Sequence, residues 1–178
     1  MGLFGSSNPV FDMLKKDHEK VQQLFEDFNE ANDSRMKERI IRDTLLELEV
    51  HAKLEEMLIY PAIREKIDNE EVMDEALEEH HVAHTLINEL KRRSGSHGRY
   101  QAKFKVLGES IKHHVKEEEG SMFPEAEKAD LDWEALAQEA MERKQTLMGR
   151  NARSASRRAR RKAKVGRKGK RPHLRKVA

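Results

Sequence analysis

The chain contains no cysteine. That single absence excludes disulfides, thiolate nucleophiles, Cys-type zinc sites and iron–sulfur clusters, so any metal must sit on His, Asp or Glu. No stretch approaches the roughly 18 consecutive apolar residues that a membrane span requires. Met1 to Phe11 lacks the basic start and apolar run of a secretory signal, so a cytoplasmic location is expected. No β-alternating run of useful length occurs, which leaves helices as the only regular structure to expect. Apolar residues make up 37% of the 178 and charged residues 38%, so the core must be narrow.

Two things are plentiful. Nine histidines are a generous supply for a chain of this size. Charge is also abundant and unevenly spread: residues 150–178 carry 14 Lys or Arg and no acid. The preceding 149 residues therefore hold 21 basic against 33 acidic side chains, a balance of −12, so an acidic body wears a basic tail.

Asn8-Pro9 reads as a helix start, with a capping side chain followed by proline in the first turn. Phe11, Leu14, Val21, Phe25 and Phe28 then recur at steps of three, four or seven, which stacks them on one helical face. His18 falls in that stripe. A break at Asn32–Ser34 precedes a second helix with Ile41, Leu45, Leu48, Ala52 and Ile59 inward, and with His51 and Glu55 among them. A third helix runs from about Glu70 to Arg93 with Met73, Leu77, Leu86, Ile87 and Leu90 inward; His80 and His84 share that face. Ser94-Gly95-Ser96-His97-Gly98 is a turn. The fourth helix carries Phe104, Leu107, Ile111, Val115 and Met122, with His114 and Glu118 between. A short fifth helix, 130–149, is expected to pack through Trp133, Leu136 and Met141.

The expected fold is therefore all-α: an antiparallel up-down four-helix bundle over residues 9–127 with a short C-terminal helix. Residues 1–8 read as a flexible lead-in and 150–178 as a disordered basic tail, since that stretch buries too little to offset chain entropy.

An internal repeat marks the bundle as two matching halves. His51-Ala-Lys-Leu-Glu55-Glu56 reaches Pro61 ten residues after its histidine, and His114-Val-Lys-Glu-Glu118-Glu119 reaches Pro124 at the same offset. A single H-x-x-x-E in so charged a chain is an ordinary surface pair, and a lone core histidine is usually packed rather than ligating. The joint pattern differs, because every bundle helix puts a histidine on its apolar stripe and two add a glutamate one turn later. His and Glu four apart can reach one point. Burying the glutamates without a cation costs several kcal/mol. Imidazole with carboxylate suits iron, zinc or manganese alike.

With these residues assembled, the chain resembles the hemerythrin family in its bacterial HHE cation-binding form. The resemblance covers about Val10 to Pro124, on Asp17-His18, His51-Ala-Lys-Leu-Glu55-Glu56, His80-His81-x-x-His84 and His114-Val-Lys-Glu-Glu118-Glu119 with Phe123-Pro124. It implies two iron ions (Fe2+/Fe3+) joined by carboxylate and oxygen bridges and able to bind or react with dioxygen. It implies as metal ligands His18, His51, Glu55, His80, His84, His114 and Glu118, with both glutamates bridging. The last pair departs from the oxygen carriers, which space it as histidine, four residues, aspartate; Glu119, or His113 with Glu118, would restore that spacing, so the choice stays open. His81, His97, His113 and His173 are left as solvated.

The resemblance leaves three readings: binding or sensing of dioxygen or nitric oxide, an enzyme of peroxide or nitric oxide removal, and iron storage or donation. A full ligand set favours binding over catalysis. Bridging glutamates among many histidines argue against a hydrolytic two-metal enzyme. The basic tail suits salt-sensitive, sequence-independent association with nucleic acid; a plain solvated tail and contact with the acidic body are the alternatives. Met1-Gly2-Leu3-Phe4-Gly5-Ser6 formally fits a myristoylation pattern, but a pattern so short is outweighed by a plain terminus, and no membrane partner is expected.

Overall fold

A computed structural model describes residues 8–67, 70–92 and 98–168 of the chain. Among them there is no strand, and no helix is long and apolar enough to cross a membrane. The bundle helices are α1 (Pro9–Glu30), α2 (Ser34–Leu54), α4 (Glu70–Arg92) and α5 (Gly98–Glu117). Two short helices, α3 (Tyr60–Arg64) and α6 (Phe123–Ala126), extend α2 and α5, and α7 (Trp133–Lys168) closes the described chain.

The starts follow local chemistry. The Asn8 side chain accepts hydrogen bonds from the Val10 and Phe11 N–H groups at 3.0 and 3.3 Å, with Pro9 in the first turn. Asp33 caps α2 by accepting from Met36 N–H at 2.7 Å, and Asp132 accepts from Ala135 N–H at 3.0 Å under α7.

Along each bundle helix and its continuation, buried apolar residues lie on both sides of a buried polar step. In α1 the order is Val10, Phe11, Leu14, then Asp17 and His18, then Val21 and Phe28; in α4 it is Met73 and Ala76, then His80, then Ala83, Ile87 and Leu90. In α2 Ile41, Leu45 and Leu48 precede His51, and in α5 Phe104 and Leu107 precede His114. One polar layer is thus clamped between two apolar ones. Water is kept from it by packing.

Pro61 and Pro124 each sit in the first turn of a continuing helix, α3 or α6. Two details differ from the sequence expectation. The inward face of α7 is Ala137 and Ala140, with Trp133 partly buried against the Phe11 ring at 5.1 Å, while Met141 is 49% exposed. Small residues let that helix lie close. Finally, α7 does not stop near residue 149 but runs to Lys168. Ala, Arg and Lys are strong helix formers, and no glycine or proline intervenes between Arg150 and Gly166. The bundle with the start of α7, through Lys144, is one compact unit, and α7 from Gln145 belongs to a second. Residues 1–7, most of the Ser94–Gly98 turn, and 169–178 with His173 lie outside the described residues.

Candidate metal centre

The two repeats build the site by the same device. At Glu55–Ile59 and again at Glu118–Met122 the helix widens into one π turn, in which Tyr60 N–H bonds to Glu55 C=O and Phe123 N–H to Glu118 C=O. Each turn lies just ahead of its proline, whose ring would crowd the carbonyl four residues earlier and whose nitrogen offers no donor. Single π turns of this kind recur at functional sites. Here each one begins at the glutamate that faces the core.

The four histidines His18, His51, His80 and His114 turn their Nε2 atoms toward one another in two pairs. His18 Nε2 is 3.1 Å from His51 Nε2, and His80 Nε2 is 3.3 Å from His114 Nε2. Glu55 lies between the pairs, with Oε1 2.9 Å from His51 Nε2 and Oε2 3.3 Å from His80 Nε2. Glu118 Oε2 is 3.2 Å from His18 Nε2 and 3.8 Å from His114 Nε2. The donors form two groups within reach of one ion each: His18, His51, Glu55 and Glu118, and then Glu55, His80 and His114.

Glu55 and Glu118 are 0% and 1% exposed, yet both Glu55 oxygens and Glu118 Oε2 make no hydrogen bond. Native proteins rarely leave buried carboxylate oxygens unpaired. A cation between them and the imidazoles satisfies every one of these atoms, so the donor set fits a metal pair. Without metal, protons take its place. Burial alone would lower the His51 imidazole, but the Glu55 charge and the nearby Asp17 carboxylate push it up to about 10. Burial likewise opposes charge on His18 and His80, and the Glu118 and Glu55 carboxylates outweigh it and raise both. Burial would push the Glu55 carboxyl up, but the His51 charge holds it well below the usual range.

Behind the imidazoles stands a second ring of carboxylates. His18 Nδ1 donates to Glu119 Oε1 at 2.6 Å, His80 Nδ1 to Glu56 Oε1 at 3.0 Å and His114 Nδ1 to Glu79 Oε2 at 2.8 Å. Asp17 Oδ2 is 3.6 Å from His51 Nδ1, an ionic contact, while its other oxygen pairs with Lys144 of α7. A carboxylate can only accept, so Nδ1 carries the proton and the Nε2 lone pair is left aimed at the centre. The arrangement repeats between halves. The acid just before the first histidine of each half backs the second, Asp17 for His51 and Glu79 for His114. The second glutamate of each doublet crosses over, Glu56 to His80 and Glu119 to His18. Glu56→Gln and Glu119→Gln should each weaken metal binding about 10–100-fold, measured by competition with a chelator; unchanged affinity in both would contradict this role.

Six of the seven residues implied by the resemblance converge: His18, His51, Glu55, His80, His114 and Glu118. His84 stays outside both groups, its side chain 32% exposed and its Nε2 2.7 Å from Glu56 Oε1. Glu118 rather than Glu119 enters the core, and Glu119 serves His18. His81 and His113 are exposed; His113 faces Glu79 at 3.4 Å. Sequence reasoning missed Asp17, Glu56 and Glu79 as partners of the imidazoles and missed Tyr60, whose buried hydroxyl donates to Glu118 Oε1 at 3.1 Å. The doubled glutamate and the acid preceding His18 and His80 were the available signals.

Comparison with known proteins agrees with this geometry. Residues 10–126 match the hemerythrin HHE cation binding domain. Among curated proteins the chain is 29% identical over 117 residues to a DNA nickase of Nostoc sp. (strain PCC 7120 / SAG 25.82 / UTEX 2576), a match covering 64% of this chain and 32% of that protein. It is 26% identical over 129 residues to an uncharacterized hemerythrin-like protein of Schizosaccharomyces pombe (strain 972 / ATCC 24843), covering 71% of this chain and 64% of that protein. The chain thus spans about a third of the first relative and less than two thirds of the second. A crystal structure of a hemerythrin HHE cation binding domain-containing protein from Mycobacterium kansasii shares the fold, with TM-score 0.66, 24% identity, and coverage of 78% of this chain and 86% of that one. With its doubled His-x-x-x-Glu-Glu helices and the convergence they produce, this chain belongs to the hemerythrin HHE cation-binding family.

Proposed function

We propose that the chain holds two iron ions on His18, His51, Glu55, His80, His114 and Glu118 and binds or senses a diatomic ligand, dioxygen or nitric oxide. Ferrous ions bound there supply electrons and open coordination positions to such a ligand. The protein's own part is to aim four Nε2 lone pairs inward and to keep solvent out.

The observation that carries the reading is a cavity of about 20 Å³ against His18, His51, His80 and His114, walled further by apolar side chains such as Val21, Leu48, Ile87 and Ile111 and touched by Asp17 and His84. A space of roughly 10–15 Å³ on this measure holds one water, so this one suits a diatomic molecule and rejects an organic substrate. A larger groove of about 530 Å³ between α1 and α5, floored by Phe25, Phe28 and Phe104, reaches His18 and Glu119. Val21, Ile111 and Val115 line both spaces, so a small apolar ligand has a short path inward.

The test is the optical spectrum of protein reconstituted with iron(II) without air, followed as oxygen is added and withdrawn. A visible charge-transfer band that forms and disappears with oxygen supports reversible binding. A band that forms once and decays to a stable oxidised spectrum supports the alternative readings, peroxide or nitric oxide removal or iron handling. No iron-dependent spectrum overturns all of them.

The basic segment supports a second, separate reading: non-specific nucleic-acid association through residues 150–178. Fourteen Lys or Arg lie there, and one relative is named a DNA nickase. Deleting 150–178 should reduce affinity for random duplex DNA at least about tenfold at low salt and flatten its salt dependence. Equal binding by the two chains contradicts it.

A further inference from the structure

Besides the groove beside α1, a second depression reaches the centre. It is a cleft of about 50 Å³ between α4 and the end of α5, lined by Glu75, Glu79, Glu117 and Ser121 together with His114 and Glu118. Glu75 and Ser121 are exposed and Glu117 is half-buried, while His114 and Glu118 are buried, so the cleft runs from solvent to two members of the donor set. At its inner end Glu118 is 1% exposed, and its Oε2 has no hydrogen-bond partner. Among the described residues that line the cleft there is no Lys or Arg. Lys116, 3.9 Å from Glu117, lines the groove instead, with Lys105 and Lys112.

The repeat shows that packing does not require this cleft. Asp17-His18 matches Glu79-His80, and His51 to Glu55 matches His114 to Glu118. By that alignment Met13, Leu14, Leu54 and Leu58 stand where the second half has Glu75, Ala76, Glu117 and Ser121. Leu14 and Leu54 are fully buried, and Met13 and Leu58 are half-buried. Four large apolar side chains thus occupy the places where the second half offers two carboxylates and two small residues.

We infer that this cleft is the entry path for the metal: a divalent cation is gathered by Glu75, Glu117 and Glu79 and passed inward to His114 and Glu118. This rests on the metal-pair reading above and deepens it. A narrow cleft lined by one sign of charge, with protein walls, focuses the field and speeds arrival of the opposite charge by about 10–1,000-fold. The lysines beside the groove oppose a cation there and leave that route to an uncharged ligand. A path changes how fast metal arrives and leaves, and not how tightly it is held. Its signature is therefore kinetic.

The experiment follows cobalt(II) uptake by the metal-free full-length chain without dioxygen, by stopped-flow visible absorption at two ionic strengths. Competition with a chelator gives Kd and the rate of loss. Glu75→Gln combined with Glu117→Gln should slow uptake at least about tenfold at low salt and remove most of its salt dependence. Kd should stay within about threefold, because these exposed and half-buried carboxylates are screened from the centre. Glu79 is left in place because it holds His114. Ser121→Leu, which installs the residue of the matching place in the first repeat, should slow uptake and loss alike. Glu26→Gln combined with Glu109→Gln makes the same change of charge in the groove and should alter neither rate. Equal slowing by the groove pair overturns the inference, as does parent-like uptake in the cleft pair. A weakened Kd with an unchanged uptake rate also overturns it, since the carboxylates would then act on the bound metal. No cobalt uptake by the parent chain overturns the metal-pair reading, and the inference with it.

Discussion

Glu55→Ala should lose nearly all bound iron, and His114→Ala about half. Among the described residues Glu55 is the one side chain in both candidate metal groups, so its removal takes a donor from each and opens a cavity between them. Its oxygens stand 2.9 and 3.3 Å from imidazoles of opposite halves, and Glu56, the next carboxylate along the chain, is engaged with His80 and His84. His114 serves the second group alone. Iron per chain, determined by elemental analysis after anaerobic reconstitution and desalting, separates the two. Parent-like iron in both variants contradicts the assignment.

Removing the metal should lower the midpoint of thermal unfolding by about 15 °C or more. A ligand held at roughly a thousand times its Kd stabilises by about 4 kcal/mol per site. One kcal/mol moves the midpoint of a chain of this size by roughly 2–4 °C, and two sites are proposed. The effect has a local cause as well: Glu55 and Glu118 are buried with oxygens that only a cation or protonated imidazoles can balance. Calorimetric scans of reconstituted and chelator-treated protein measure the difference. A midpoint within a few degrees of the parent would mean that the buried carboxylates are content without metal.

Much of the site was legible because its signals are local. The stripe of α1 runs through His18, that of α2 through His51 and Glu55, and that of α5 through His114 and Glu118, each a matter of steps of three and four. His84 was not legible in the same way. It shares the inward face with His80, and what keeps it from the centre is Glu56, a residue 28 positions earlier on another helix. The outer carboxylates are likewise pairings between helices, which periodicity cannot report. Tyr60 was hidden by the π turn, which shifts the residues beyond it from the register that a regular helix predicts. In α7, bulk misled: Met141 looked inward, but the face that packs is small, Ala137 and Ala140.

The most direct test of the central claim is the iron content of the full-length chain, reconstituted with iron(II) without air and then freed of loosely held metal. Close to two iron ions per chain are expected, falling to nearly none in Glu55→Ala. Retention of no iron by the parent chain, or equal retention by both, would contradict it.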